Sequence, residues 1–243
     1  MKSSRLVAAA LLLVVLASPA WAHFVWVAVQ ADGSGKPAAR VWFSELAEPD
    51  SADLIDKIAS VKVWSRDAAG KSQPVMVTKQ IKDGGGALVG PLAADNENLS
   101  AHIQYGVITR GEQTFLLQYW AKYLDISQSG WKALARDPAL KLDVVPHAEN
   151  ADFVLEVLFD GKPAAGAEFV ILDPVAKEIT AKADAAGKLT LANAKPGLYS
   201  IRAKWVVAEK GKLGDKEYAQ VNHYSTLALR VPGQDKTQKL EVR

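Results

Sequence analysis

Few residues in this chain could bind or activate anything. It holds four histidines, His23, His102, His147 and His223, and no cysteine. Thiolate metal sites, iron-sulfur clusters, disulfides and cysteine nucleophiles are therefore excluded. There is no metalloprotease pair of histidines around a glutamate, no nucleophile elbow, no Walker loop and no dinucleotide fingerprint. Gly84-Gly85-Gly86 is a glycine loop without the lysine and helix that phosphate binding requires. Carboxylates are plentiful, yet spacing in sequence does not set separation across a β-sheet, so no pair stands out as a glycosidase dyad.

His23 is the notable residue because of what precedes it. Lys2 and Arg5 make a positive start, Leu6 to Ala17 is an unbroken apolar run, and Ser18-Pro19 breaks it before Ala20-Trp21-Ala22. This pattern predicts a secretory signal peptide over residues 1–22. A run of 12 residues falls short of the roughly 20 that span a bilayer as a helix. No cysteine follows to carry a lipid anchor, so a soluble periplasmic protein starting at His23 is expected. Its α-amine, with a solution pKa of about 7.7–8.0, would lie beside the imidazole and form a compact bidentate site. Nitrogen-rich sites favour Cu(II) and Ni(II). Cleavage after Ala20 would leave a histidine third from the terminus, which also suits those ions. A histidine that is incidental to the cleavage site remains the plain alternative.

The other histidines are placed by strand parity. Leu99, Ala101, Ile103, Tyr105 and Val107 form the apolar side of one strand, so His102 points to its polar face, either solvated or lining a site beside His23. His223 shares parity with Val221, Leu227 and Leu229 and is either a satisfied core histidine or a ligand. The candidate metal residues are thus His23, His102 and His223, with nickel, cobalt or copper as the divalent ion. His147 follows Pro146 and is expected to be exposed.

These residues need a scaffold, and the composition is that of a packed globular protein: 49% hydrophobic and 23% charged. Without Lys2 and Arg5 the basic and acidic residues balance, so no field exists to attract nucleic acid or an anionic membrane. From Asp152 to Asp160 the apolar residues Phe153, Leu155, Val157 and Phe159 alternate with other residues, and Ala167, Phe169 and Ile171 resume the parity after Gly161-Lys162-Pro163-Ala164-Ala165-Gly166. That predicts a hairpin. Leu189 and Leu191, the turn Lys195-Pro196-Gly197, the alternating Tyr199 to Trp205, and a last strand over 219–231 complete this half.

Strands are also expected over 24–30, 40–44, 61–65, 75–81, 99–109 and 113–120, with short helices over 53–58 and 129–136. Phe24 to Val29 is apolar on both parities, which predicts a first strand covered on both faces. The stretch 125–150, with Gly130, Pro138 and Pro146, reads as a connection. The expected fold is all-β, two antiparallel β-sandwich domains over 23–147 and 148–243, the second immunoglobulin-like or transthyretin-like. A fragment over 150–243 would then fold alone.

Four segments carry a family resemblance: His23-Phe24-Val25-Trp26-Val27, Gln104-Tyr105-Gly106-Val107, Phe159 to Ala167, and Lys195-Pro196-Gly197-Leu198-Tyr199. Together they resemble a bacterial periplasmic domain-of-unknown-function family often labelled the nickel/cobalt transport periplasmic component (NikM-like). The resemblance runs over essentially the whole chain after residue 22. It implies a two-part β-sandwich protein that handles a divalent ion as accessory to a metal-transport membrane complex; an enzymatic role is not implied, and no enzyme is expected. By residue it reaches only His23. Two other readings stay open: a β-sandwich binding or adhesion module without metal, and a copper oxygenase with an N-terminal histidine brace.

Overall fold

The computed structural model describes residues 23–67, 69–93, 98–149 and 152–233; the expected signal peptide lies outside them. Strands account for 61% of the described residues, and among these helix is confined to two short segments, so the protein is all-β and built from packed sheets. The first half contributes β1 (Phe24–Ala31), β2 (Pro37–Ser44), β3 (Asp50–Ser51), β4 (Lys62–Arg66), β5 (Ser72–Pro74), β6 (Thr78–Lys82), β7 (Gly85–Pro91), β8 (Leu99–Arg110) and β9 (Gln113–Asp125). The second contributes β10 (Leu142–Glu149), β11 (Asp152–Phe159), β12 (Lys162–Pro163), β13 (Glu168–Leu172), β14 (Glu178–Lys182), β15 (Lys188–Leu191), β16 (Gly197–Val207), β17 (Gly211–Leu213), β18 (Lys216–Tyr218) and β19 (Gln220–Val231). A 3-10 turn over Ala52–Ile58 and α1 (Trp131–Leu134) fall where helices were expected. Among the described residues no helix is long and apolar enough to cross a membrane.

An eight-stranded sheet, β14-β13-β16-β19-β9-β8-β4-β5, runs through both halves of the chain. Its two halves are stitched by a parallel pairing of β19 with β9, from Gln220 opposite Phe115 to Arg230 opposite Asp125. A sheet of β1, β2, β7, β3 and β6 covers one face of this central sheet, and a sheet of β10, β11, β12 and β15 covers the other. Alternation along β9 serves both layers. Phe115, Leu117, Tyr119, Ala121 and Tyr123 enter the first core, whereas Trp120 and Leu124 enter the second. The order is thus three layers around a shared sheet to which both halves contribute strands.

Several local expectations change for physical reasons. The strands β11 and β13 do not pair with each other: β11 turns at Asp160-Gly161 into the short β12, and the chain then crosses to the central sheet. Lys195-Pro196-Gly197 likewise carries the chain from β15 in one sheet to β16 in the other. A hairpin and an arch between facing sheets both send alternate side chains into one core, so period-two alternation cannot separate them. Gly197 has φ +133°, and a Cβ there would stand 2.5 Å from Pro174 Cβ, so this crossing requires glycine.

The expected connection is also partly strand. Leu142 to Glu149 pairs along the whole of β11, and the expected boundary at 147/148 falls inside it. Pro146 is tolerated because β10 lies at the edge of its sheet. The first strand is buried from Phe24 to Ala28, as its sequence requires. Although β1 ends its own sheet, its outer carbonyls are not left bare: Thr226 Oγ1 donates to Val25 O at 2.6 Å, and Tyr119 Oη donates to His23 O at 3.0 Å.

Candidate metal centre

The three candidate histidines do not converge. His23 opens β1 in the first layer, beside Phe43, with ring centroids 5.7 Å apart. His102 and His223 lie across the central sheet, where Trp120 points into the second core. His102 stacks on the Trp120 ring with centroids 3.8 Å apart, and Trp120 Nε1 donates to His223 Nδ1 at 3.2 Å. The expected partnership of His102 or His223 with His23 therefore gives way to a pair that flanks an indole on the opposite face. Two adjacent residues of one strand, Tyr119 and Trp120, point to opposite sides and separate them. Among the described residues, no three His, Cys, Asp or Glu side chains form a metal-binding group.

His102 and His223 are each held by neighbouring side chains. Gln118 Oε1 lies 2.8 Å from His102 Nε2, and Gln118 Nε2 donates on to Gln104 Oε1 at 3.1 Å. His223 is buried and packs against Phe159 with centroids 4.9 Å apart. Burial, then the charges of Lys141 and His102, push its pKa down to about 4. Burial also lowers His102, partly offset by the hydrogen bond with Gln118. His147 is exposed and pairs with Glu156 at 2.9 Å.

The sign of the acid response follows. A histidine whose folded pKa lies below its unfolded value favours folding when neutral, and the unfolded chain takes up the extra proton as pH falls through about 6.5. Stability should drop by about 2 kcal/mol between pH 7 and pH 5 through His223 alone. Urea midpoints of wild type and His223→Gln at the two pH values check this. The variant should lose that much less on acidification, and equal losses in both proteins would contradict the assignment.

His23 has different surroundings. Its carbonyl is pinned by Tyr119, and the register of β1 on β2 starts at the next residue, Phe24 opposite Ser44. Its Nε2 lies 3.3 Å from Asp50 Oδ2, and both side chains are partly open to solvent. Asp50 reaches this position because β3 pairs with β7, Asp50 opposite Gly86. Asp53, whose carboxyl is held below its ordinary range chiefly by the Ser51 hydroxyl, also feels the His23 charge. The adjoining cavity of about 200 Å³ is lined by Tyr105, Tyr119 and Tyr224, with Lys57 and Arg110 also on its wall.

This geometry suits the amine-imidazole chelate. An N-terminal histidine closes a chelate ring through its α-amine and Nδ1, which requires the ring proton on Nε2. A carboxylate beside Nε2 favours that tautomer, as carboxylates do behind metal-bound histidines generally. Asp50 therefore fits an orienting role that is not legible in the sequence, since 27 positions separate it from His23. The donors fit nickel, copper or cobalt; the ion would need the α-amine as well as the ring.

No family model matches this sequence, and no curated protein matches it. Among solved structures, pullulanase from Anoxybacillus sp. LM18-11 is similar at 9% identity. Its maltotriose complex matches 74% of this chain and 24% of that chain with a TM-score of 0.21. Another structure of that enzyme matches 81% of this chain and 27% of its own with a TM-score of 0.19. The chain thus spans about a quarter of the length of the pullulanases it matches, at scores too low to relate the folds.

Proposed function

We propose that the protein is an exported periplasmic accessory protein that holds one divalent ion, nickel, cobalt or copper, at a processed N-terminus beginning with His23, and serves a metal-transport membrane complex. The observation that carries this reading is the setting of His23: a main chain anchored by Tyr119 at 3.0 Å and a ring whose Nε2 has Asp50 beside it at 3.3 Å. The anchor keeps the new terminus in place, and Asp50 leaves Nδ1 free beside the amine. Binding releases protons, so affinity should fall with pH.

Calorimetric titration of Ni(II), Co(II) and Cu(II) into processed protein tests the reading against three variants. His23→Ala and a version with one extra N-terminal residue should each abolish the site, whereas Asp50→Asn should weaken it by roughly tenfold or more. Saturating metal at a hundredfold excess over Kd should stabilise the wild type by about 2.7 kcal/mol. Unchanged affinity in the extended version would eliminate the amine as a ligand and sink the proposal. A silent His23→Ala would leave a sandwich module without metal as the better account.

A further inference from the structure

On the sheet formed by β1, β2, β7, β3 and β6 lies a cavity of about 640 Å³ that the metal site does not use, although Asp50 touches both. Register explains its make-up. Arg40 is opposite Val89 on β7, Gln80 opposite Ala87, and Lys82 opposite Gly85, so the side chains of Arg40, Trp42, Gln80 and Lys82 share one face. Trp42 and Arg40 form the floor, and Gln30, Gln80, Lys82 and Asp83 form the exposed rim. On the other parity of β7, Gly86 lets the strand run close to the 3-10 turn: a Cβ there would stand 2.8 Å from Ala52 Cα.

The floor holds an anomaly. Trp42 is 1% exposed, yet its Nε1 donates to nothing, and the buried Nε of Arg40 has no acceptor either, among the described residues. Native proteins leave few buried donors unpaired because each costs the desolvation of a polar group, and two on residues of one strand face that line a cavity call for an acceptor. A guanidinium, an indole N–H and the Lys82 ammonium lining one cavity suit a carboxylate. The rim adds the opposite charge through Asp50 and Asp83, which suits an ammonium group. The cavity volume is within the range of small-molecule sites.

We infer that this cavity is a binding site for a small zwitterionic amino acid, its carboxylate on Arg40 and the Trp42 indole N–H and its ammonium toward Asp50 and Asp83. The site shares Asp50 with the metal reading but does not rest on metal binding, and its test leaves His23 and Asp50 unmutated, so the two readings fail separately.

The indole N–H resonance of Trp42, assigned by its loss in Trp42→Phe, reports directly on the floor. L-alanine, acetate and ethylamine are the probes, added to the folded protein at pH 7. L-alanine should shift this resonance saturably, acetate should bind at least tenfold more weakly, and ethylamine should leave the resonance in place. Arg40→Gln should weaken alanine binding at least tenfold while the other tryptophan resonances stay put. Absence of a saturable shift with alanine would overturn the inference. Acetate binding as tightly as alanine would overturn the role of the rim acids, and unchanged binding in Arg40→Gln the role of the floor. If Arg40→Gln fails to fold, Lys82→Gln and Asp83→Asn at the exposed rim carry the test: both should weaken alanine binding, and two unchanged affinities would refute the site.

Discussion

Replacing Lys122 by methionine is expected to destabilise the protein by about 3–5 kcal/mol, the usual cost of stranding one partner of a buried ion pair. Lys122 lies in the last third of β9, and its side chain is 2% exposed, against 3% for Asp143. Its Nζ donates to Asp143 Oδ1 at 2.5 Å and to Ala135 O. Burial pushes the lysine pKa down and the aspartate pKa up, and each partner opposes the shift of the other. Asp143 Oδ2 also accepts the Asp137 amide at 2.8 Å, and Asp137 in turn accepts from Trp64 Nε1 at 2.9 Å and Ser100 Oγ at 2.7 Å. Arg66 faces the same carboxylate at 3.5 Å. The cluster thus ties the segment around α1 to the central sheet, so a methionine would leave a carboxylate in the interior with no cation.

Urea denaturation decides it: the midpoint should fall with little change in slope. Lys122→Met/Asp143→Leu should recover only part of the loss, because the Asp137 amide then lacks its acceptor. A loss below about 1 kcal/mol in the single variant would mean that water reaches this cluster.

The second large effect concerns the fragment over 150–243, which the alternation in its sequence presents as self-sufficient. The structure gives reason to expect the reverse. Cutting at 150 strips β10 from the whole length of β11 and removes β9 from the whole length of β19. Leu142, Val144, Val145, Trp120 and Leu124 leave the second core with those strands. The interior strand β19, with Leu227, Ala228 and Leu229 fully buried, becomes a long apolar edge prone to pairing with other chains. The fragment should show no cooperative thermal transition and should aggregate. The full chain from His23 onward should unfold in a single transition, because one sheet serves both cores. Two separated transitions, or sharp amide dispersion in the fragment, would show that the halves are autonomous.

What the sequence made legible follows from parity. The strands carrying His102, His223 and Trp205 were readable because alternation survives in them, and the all-β class follows from the absence of helical period. Partner choice was not readable. Val157 and Phe169 look like the two sides of a hairpin but belong to facing sheets, and Pro146 disguises an edge strand as a connection. The candidate site split for a similar reason: parity places His102 on a polar face but does not say which neighbouring layer that face meets. Lys122 carried a signal that passed unused, a lone charge within the apolar run Phe115 to Leu124. Arg40, between Ala39 and Val41 on a buried strand, carried another.

The parallel seam between β9 and β19 also governs the order of assembly. It joins Phe115 to Gln220, so the central sheet depends on contacts between residues more than a hundred positions apart, and high contact order slows folding. A chain emerging from its N-terminus has made β9 long before β19 arrives to cover its edge. Until then the β9 edge is open, which makes the last strand the step that joins the two halves of the central sheet.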